Sequence, residues 1–352
     1  MTRLLVGTYA AKGGAGLVPL FCDSEGANES SPLRGRIETV SDGIWRTGAP
    51  IGHVRNASFG LVSARHGHHY MVDEVAGRIA VYSASGGWAV LDDLPSGGEA
   101  PCHLALSPAE DAVAVANYAS GDVALFPLDA DGLPGTPRRW HDPGDGPDPE
   151  RQAGPHAHWV GFGTEGDLIT VDLGADRVFA RRTGRGGGEV RSLYAAPRGS
   201  GPRHLAFHPE RPVAYLVSEL DATLTVLVPD GGVFRAAAIL PIEPEDAPSD
   251  NLGGAIALDP AGTRLYASNR GHDSIATFAL DATGMPSLIG HVPSGGRSPR
   301  FILPLPGRLA VANEESGTVA LFRLDPLGCP LPDPEVLEVP GAAFLMPDLP
   351  GG

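Results

Sequence analysis

Apolar residues come in short runs that stop at glycine, proline, aspartate or asparagine, and no stretch of useful length carries the 3.6-residue period of an amphipathic helix. Six of these runs are versions of one hairpin: MVDEVAGRIAVY (71–82), AVANYASGDVALF (114–126), ITVDLGADRVFA (169–180), LVSELDATLTVL (216–227), ASNRGHDSIATF (267–278) and AVANEESGTVALF (310–322). They superpose without gaps on an anchor, Asp73, Asn117, Asp172, Ser218, Asn269 and Asn313, at spacings of 44 to 55 residues. About fourteen residues ahead of most anchors lies a further short strand, as in PCHLALSP (101–108), HAHWVGF (156–162) and PRHLAFHP (202–209). Each unit therefore holds at least three strands with room for a fourth, and a four-stranded unit at this period predicts a β-propeller blade.

The ends complete the count. Residues 4–21 read as a hairpin with no strand before it, and residues 340–348 as an inner strand with no hairpin after it. The expectation is an all-β protein: one domain over 1–352, a seven-bladed β-propeller whose ring is closed by N- and C-terminal strands in one blade, leaving no open sheet edge. The Pro-, Gly- and Asp-rich stretch 141–154 is a loop between blades, since the repeat resumes in phase after it.

Composition agrees: 48 glycines and 34 prolines are scattered between the apolar runs, as tight turns require. With 26 basic against 42 acidic residues and no Lys/Arg-rich run, the net charge of −16 argues against nucleic-acid or anionic-membrane partners. A small anionic substrate would need a local cationic pocket. Cys22, Cys102 and Cys329 lie far apart with no CxxC spacing, so free thiols in a reducing cytoplasm are expected. MTRLLVGTYA holds too few apolar residues for a signal-peptide core or a membrane span. A soluble cytoplasmic protein, monomeric or weakly oligomeric, is the expectation.

The repeats also separate scaffold from chemistry. Every anchor is Asp, Asn or Ser, types that bond nearby backbone at turns. The next position is Glu74, Tyr118, Leu173, Glu219, Arg270 and Glu314, which share no chemical type and so face something different in each blade. Fourteen residues before the anchors stand Phe59, His103, His158, His204 and Ala255; a buried histidine bonding a neighbouring blade would explain all three imidazoles. One residue earlier, Arg203 is a long cation where Ser58, Cys102, Ala157 and Gly254 are small. His156 and His158, two apart in a strand, could begin a metal site, but no third ligand can be assigned. GxSxG, Walker A and a strand-to-helix GxGxxG are absent, and GRGGGE (184–189) reads as a flexible turn. No cofactor is expected.

RQAGPHAHWVGF (151–162), YLVSELDATLTVL (215–227) and LYASNRGHDSIATFAL (265–280), in that order, resemble the lactonase family of seven-bladed propellers, which includes propeller-type 6-phosphogluconolactonases and carboxymuconate cyclases. The likeness runs over nearly the whole chain. It implies a cytoplasmic hydrolase of carbohydrate metabolism, in the pentose phosphate pathway, acting on a small anionic lactone without metal or organic cofactor. By resemblance the catalytic pair is His158 and Glu219, with Arg203 and Arg270 binding the substrate; whether His156 or His204 shares the role of His158 stays open. His158 would serve as general base and Glu219 would orient it or carry the proton. The alternatives are a cycloisomerase that closes a carboxylated muconate to its lactone, and a propeller that binds a ligand or protein and catalyses nothing. The chain departs from the family pattern at Ala257, after Arg300, and at Trp159 beside His158, changes that bear on the substrate.

Overall fold

The computed structural model describes residues 2–22, 43–184 and 188–348. Part of the glycine-rich turn 184–189 therefore lies outside the described residues. Seven four-stranded antiparallel sheets form a ring. Blade 1 takes its inner strand, Ala342–Pro347, from the far end of the chain, followed outward by Thr2–Thr8, Val18–Cys22 and Trp45–Thr47. Leu4, Leu5, Val6 and Gly7 pair with Pro347, Met346, Leu345 and Phe344, which closes the ring as the repeats predict. Blades 2 to 7 follow in chain order, each built from four consecutive strands that run from the centre outward. Inner strands touch those of neighbouring blades around the ring.

Hydrophobic layers lie between sheets. Between blades 5 and 6, for example, Tyr215, Val217, Leu224 and Val226 meet Leu265, Ala267, Ala276 and Phe278, all buried. The two middle strands of each blade, such as Ala112–Asn117 and Asp122–Pro127, are apolar on both faces because both faces are covered, whereas the outer strand of blade 5 alternates exposed and half-buried positions along its length. Three blade contacts share one device: Tyr70, Tyr215 and Tyr266 Oη donate to the carbonyls of Gly132, Gly284 and Gly328 in the next blade, at 2.6, 2.5 and 2.7 Å. Each acceptor glycine has φ between 77° and 86°, a turn conformation that costs a residue with a Cβ.

The anchors behave as the turn chemistry requires. Asp172 Oδ1 accepts from the backbone N–H groups of His156 and Ala175, and Asn117 Nδ2 donates to the carbonyl of Asp122. Asp172 is fully buried, however, and its Oδ2 has no partner among the described residues. Burial pushes its carboxyl up to about 7, with the two backbone donors pulling the other way. A raised carboxyl pKa means the unfolded chain releases the proton first, so stability falls as pH rises from about 4 towards 7 and the full cost is present above that. Asparagine is the anchor at 117, 269 and 313. Asp172→Asn is therefore expected to raise Tm by a few degrees at pH 8 and to change it little at pH 4, as a thermal melt series would show. A loss of Tm at both values would mean that the carboxylate itself is required.

Candidate active site

Two rings of positions define one end of the central channel. The first is made by β-bulges on the inner strands. In blades 3, 4, 5 and 7 the register skips one residue, leaving Cys102, His158, Arg203 and Arg300 unpaired; Gly254 and Ala255 are skipped in blade 6 and Ala343 in blade 1. A bulge re-aims the side chain of its extra residue, which is how an inner strand presents long polar groups at a site. The second ring is the position after each anchor, Glu74, Tyr118, Leu173, Glu219, Arg270 and Glu314, joined in blade 1 by Tyr9, which follows Thr8 at the end of the strand Thr2–Thr8. In blades 1, 3, 4, 5 and 7 its backbone N–H donates to the carbonyl of the residue two before the bulge position, at the entry to the inner strand, as Glu219 does to Gly201 and Glu314 to Ser298; Glu74 of blade 2 donates to Asn56. In blade 6 Arg270 pairs with Leu252 in the ladder.

The four residues expected from the sequence come together here. Glu219 accepts from Arg203 Nε at 3.0 Å and lies 2.7 Å from Arg270 Nη2; Arg151 Nη2 reaches its other oxygen. The Arg203 and Glu219 side chains are 2% and 5% exposed. Arg203 Nη1 also donates to the Gly254 carbonyl at 2.9 Å, and Arg270 Nη2 to that of Gly253 at 2.9 Å. Gly254 permits this close approach: a Cβ there would overlap Ser268 Oγ and fall 2.8 Å from the Pro299 carbonyl oxygen. His158, also buried, lies with its ring 5.1 Å from that of His204 and 5.4 Å from Tyr118. His204 Nε2 is 3.2 Å from Arg203 Nη1. Tyr118 Oη in turn accepts from Arg151 at 3.3 Å, closing the loop of contacts.

Electrostatics assign protonation states. Burial first, and Arg203 second, hold His158 well below the usual histidine range, so at neutral pH it is an uncharged imidazole able to accept a proton. Burial opposes the charge on Glu219, but Arg270, Arg203, His158 and Arg151 together hold its carboxyl well below the usual range. Glu219 is thus ionised, and both oxygens are taken by guanidiniums. The expectation that Glu219 orients His158 or carries its proton meets a carboxylate that is bonded to Arg203, Arg151 and Arg270 and that those cations hold ionised. Three arginines outcompete one imidazole for it.

The recurrence of histidine fourteen residues before the anchors does not survive in the register. Five residues separate Phe162 from its ladder partner Leu168 in blade 4, whereas six separate Leu106 from Val113 in blade 3 and Phe207 from Ala214 in blade 5. Counting back from the anchor therefore lands one residue off. His158 corresponds to Cys102 and Arg203, whereas His103 and His204 correspond to Trp159. That third position forms an aromatic collar: Phe59 lies 4.0 Å from His103 and 5.0 Å from Phe344, Phe344 lies 4.9 Å from Phe301, and His103 lies 5.5 Å from Trp159. Trp159 is thus part of a collar beside the site. His156 donates from Nδ1 to the Tyr118 carbonyl at 2.8 Å and stacks on the Tyr118 ring. It does not build a metal site with His158, and no group of His, Cys, Asp or Glu suited to a metal occurs among the described residues.

Arg151 carries no signal in the repeats, because a loop residue has no repeat counterpart for comparison. Arg300, Glu74, Glu314 and Tyr118 join the site beyond the residues the resemblance implies. Glu74, Glu314 and Tyr118 stand at the variable position after the anchor, and that variability is the signal that marks them.

A ring of seven blades whose bulges aim a neutral imidazole and several guanidiniums at one end of a channel is the architecture of a propeller enzyme for small polar substrates. The family model described as Lactonase, 7-bladed beta-propeller matches residues 4–342, and the chain belongs to that family and is an enzyme of the lactonase class. A 6-phosphogluconolactonase of Bacillus subtilis is 31% identical over 339 residues, covering 92% of each chain. The solved structure of a periplasmic gluconolactonase from Pseudomonas aeruginosa superposes with a TM-score of 0.85 at 26% identity over 98% of both chains. A protein from Lactobacillus plantarum gives 0.85 at 27% identity, over 98% of this chain and 99% of that one.

Proposed function

We propose that this lactonase hydrolyses a hydroxylated lactone carrying one anionic group, with 6-phosphogluconolactone the first substrate to test. The observation that carries the reading is the group of three guanidiniums, Arg151, Arg203 and Arg270, on the single carboxylate of Glu219. A surplus of positive charge in a chain of net charge −16 has a purpose that an anionic ligand supplies.

In this mechanism the neutral His158 removes a proton from water as the water oxygen bonds to the lactone carbonyl carbon. Arg203 and Arg270 stabilise the oxyanion that forms. Collapse breaks the bond to the ring oxygen, and the imidazolium of His158 returns its proton to the leaving alkoxide, giving the hydroxy acid. Glu219 fixes the guanidiniums and favours the transient imidazolium. Carboxymuconate closure is disfavoured by Glu74 and Glu314 at the same channel end, because that substrate brings additional carboxylates towards them. The free thiols of Cys102 and Cys329 suit a cytoplasmic setting.

The test is turnover of 6-phosphogluconolactone, unphosphorylated gluconolactone and a carboxylated muconate by purified protein without added metal. Arg270→Lys keeps the charge but loses the planar fork. It is expected to lower kcat/KM roughly ten- to a hundred-fold on the phosphorylated lactone and less on the neutral one. Equal losses on both would confine Arg270 to the oxyanion or to its hairpin and leave the anion unassigned.

A further inference from the structure

Across the channel end from Glu219, blades 7, 1 and 2 hold a second polar cluster that this chemistry leaves unused. Arg300 takes in blade 7 the bulge position that Arg203 takes in blade 5. Its Nη1 lies 3.4 Å from Glu314 Oε2 and its Nη2 3.5 Å from Glu74 Oε2, at the outer limit of a hydrogen bond. The guanidinium carbon sits 5.3 Å from the centroid of the Tyr9 ring, and Tyr9 Oη donates to Glu74 Oε2 at 2.6 Å. Lys12 Nζ lies 2.8 Å from Glu314 Oε1. The second oxygen of Glu74, Oε1, has no hydrogen-bond partner among the described residues, and the Arg300, Glu74 and Glu314 side chains are 16%, 21% and 12% exposed.

The contrast with the Glu219 group is chemical. There, one carboxylate is saturated by three guanidiniums; here, two carboxylates share one guanidinium loosely, with Lys12 beside one of them. A further anion would meet Glu74 and Glu314, and a further cation would meet Arg300 and Lys12. The groups that fit are neutral and can both donate and accept: hydroxyls. A carboxylate accepts from an O–H and a guanidinium donates to hydroxyl oxygens, so a carboxylate–guanidinium pair can engage two adjacent hydroxyl groups.

We propose that Glu74, Glu314 and Arg300 form a hydroxyl-recognition subsite that takes a vicinal diol of the substrate. The inference rests on the lactonase reading and orients its substrate: scissile carbonyl and anionic group towards Arg203 and Arg270, hydroxylated carbons towards Glu74 and Glu314. Specificity for a sugar-derived lactone over an unsubstituted one then resides in blades 7, 1 and 2.

The experiment compares wild type, Glu74→Gln and Glu314→Gln on gluconolactone and on δ-valerolactone, which lacks the hydroxyls, with Tm measured for each variant. Each variant is expected to lose kcat/KM by roughly ten-fold more on gluconolactone than on δ-valerolactone, chiefly through a higher KM. Equal losses on the two lactones, or none on either, would overturn the subsite. If wild type hydrolyses neither lactone, turnover requires the anionic group of the proposed substrate, and calorimetry with gluconate and pentanoate decides the subsite. It stands if wild type binds gluconate more tightly and Glu74→Gln removes the difference; it falls if wild type binds both alike.

Discussion

His158→Ala is expected to lower kcat by roughly 10² to 10⁴ on any lactone the protein turns over, the range for removal of a general base. The side chain contributes little that folding depends on: its Nδ1 has only a 4.0 Å contact to Cys102 Sγ, and its rings of contact are aromatic edges. Tm should therefore move far less than activity. His103 provides the contrast. Its Nδ1 accepts from the backbone N–H of Val160 in the next blade, so His103→Ala removes a partner from a buried donor and should lower Tm while sparing most of kcat. Comparable losses of kcat at the two positions would make both histidines structural.

The pH profile supplies a second reading of the same residue. A base must be unprotonated to act, and burial with Arg203 keeps His158 unprotonated well below the ordinary histidine range. The acid limb of kcat/KM is thus expected well below pH 6.5, with no loss between pH 8 and pH 6. A limb near 6.5 would point to a solvated histidine instead.

Deleting residues 338–352 is expected to abolish cooperative folding. The deletion strips the inner strand from blade 1 and with it Ala342, Ala343, Phe344, Leu345 and Met346, each buried. Burying a large apolar side chain contributes about 1.5–3 kcal/mol, so Phe344, Leu345 and Met346 alone approach the 5–15 kcal/mol that is the whole stability of a typical protein. The cut also exposes the ladder edge of Leu4–Thr8. A truncated protein with an unchanged, sharp melting transition would show that the ring does not depend on this closure.

The propeller was legible because each blade repeats the same instructions: an anchor that caps a turn, an inner strand, and apolar runs covered on both faces. Seven copies average out local accidents. The four residues His158, Arg203, Glu219 and Arg270 were legible through family resemblance, and Arg203 also through its departure from small residues in other blades. What the repeats could not show is register. A bulge and a shortened turn do not alter the hydrophobic pattern, yet they decide that His158, and not His103 or His204, shares the ring of Arg203 and Arg300. Arg151 was illegible for a different reason, since a loop reaches the site by its path through space and leaves no periodic trace.

The contrast between a net charge of −16 and a cationic cluster at one channel end sets the terms on which the proposed anionic substrate would arrive. At a distance the molecule repels such a substrate; close to the guanidiniums it attracts it. With a Debye length of about 8 Å at physiological ionic strength, the repulsion is largely screened until the two are nearly in contact. The approach of such a substrate is therefore governed by the last few ångströms, where the arginines dominate, and the acidic surface elsewhere does not bar it.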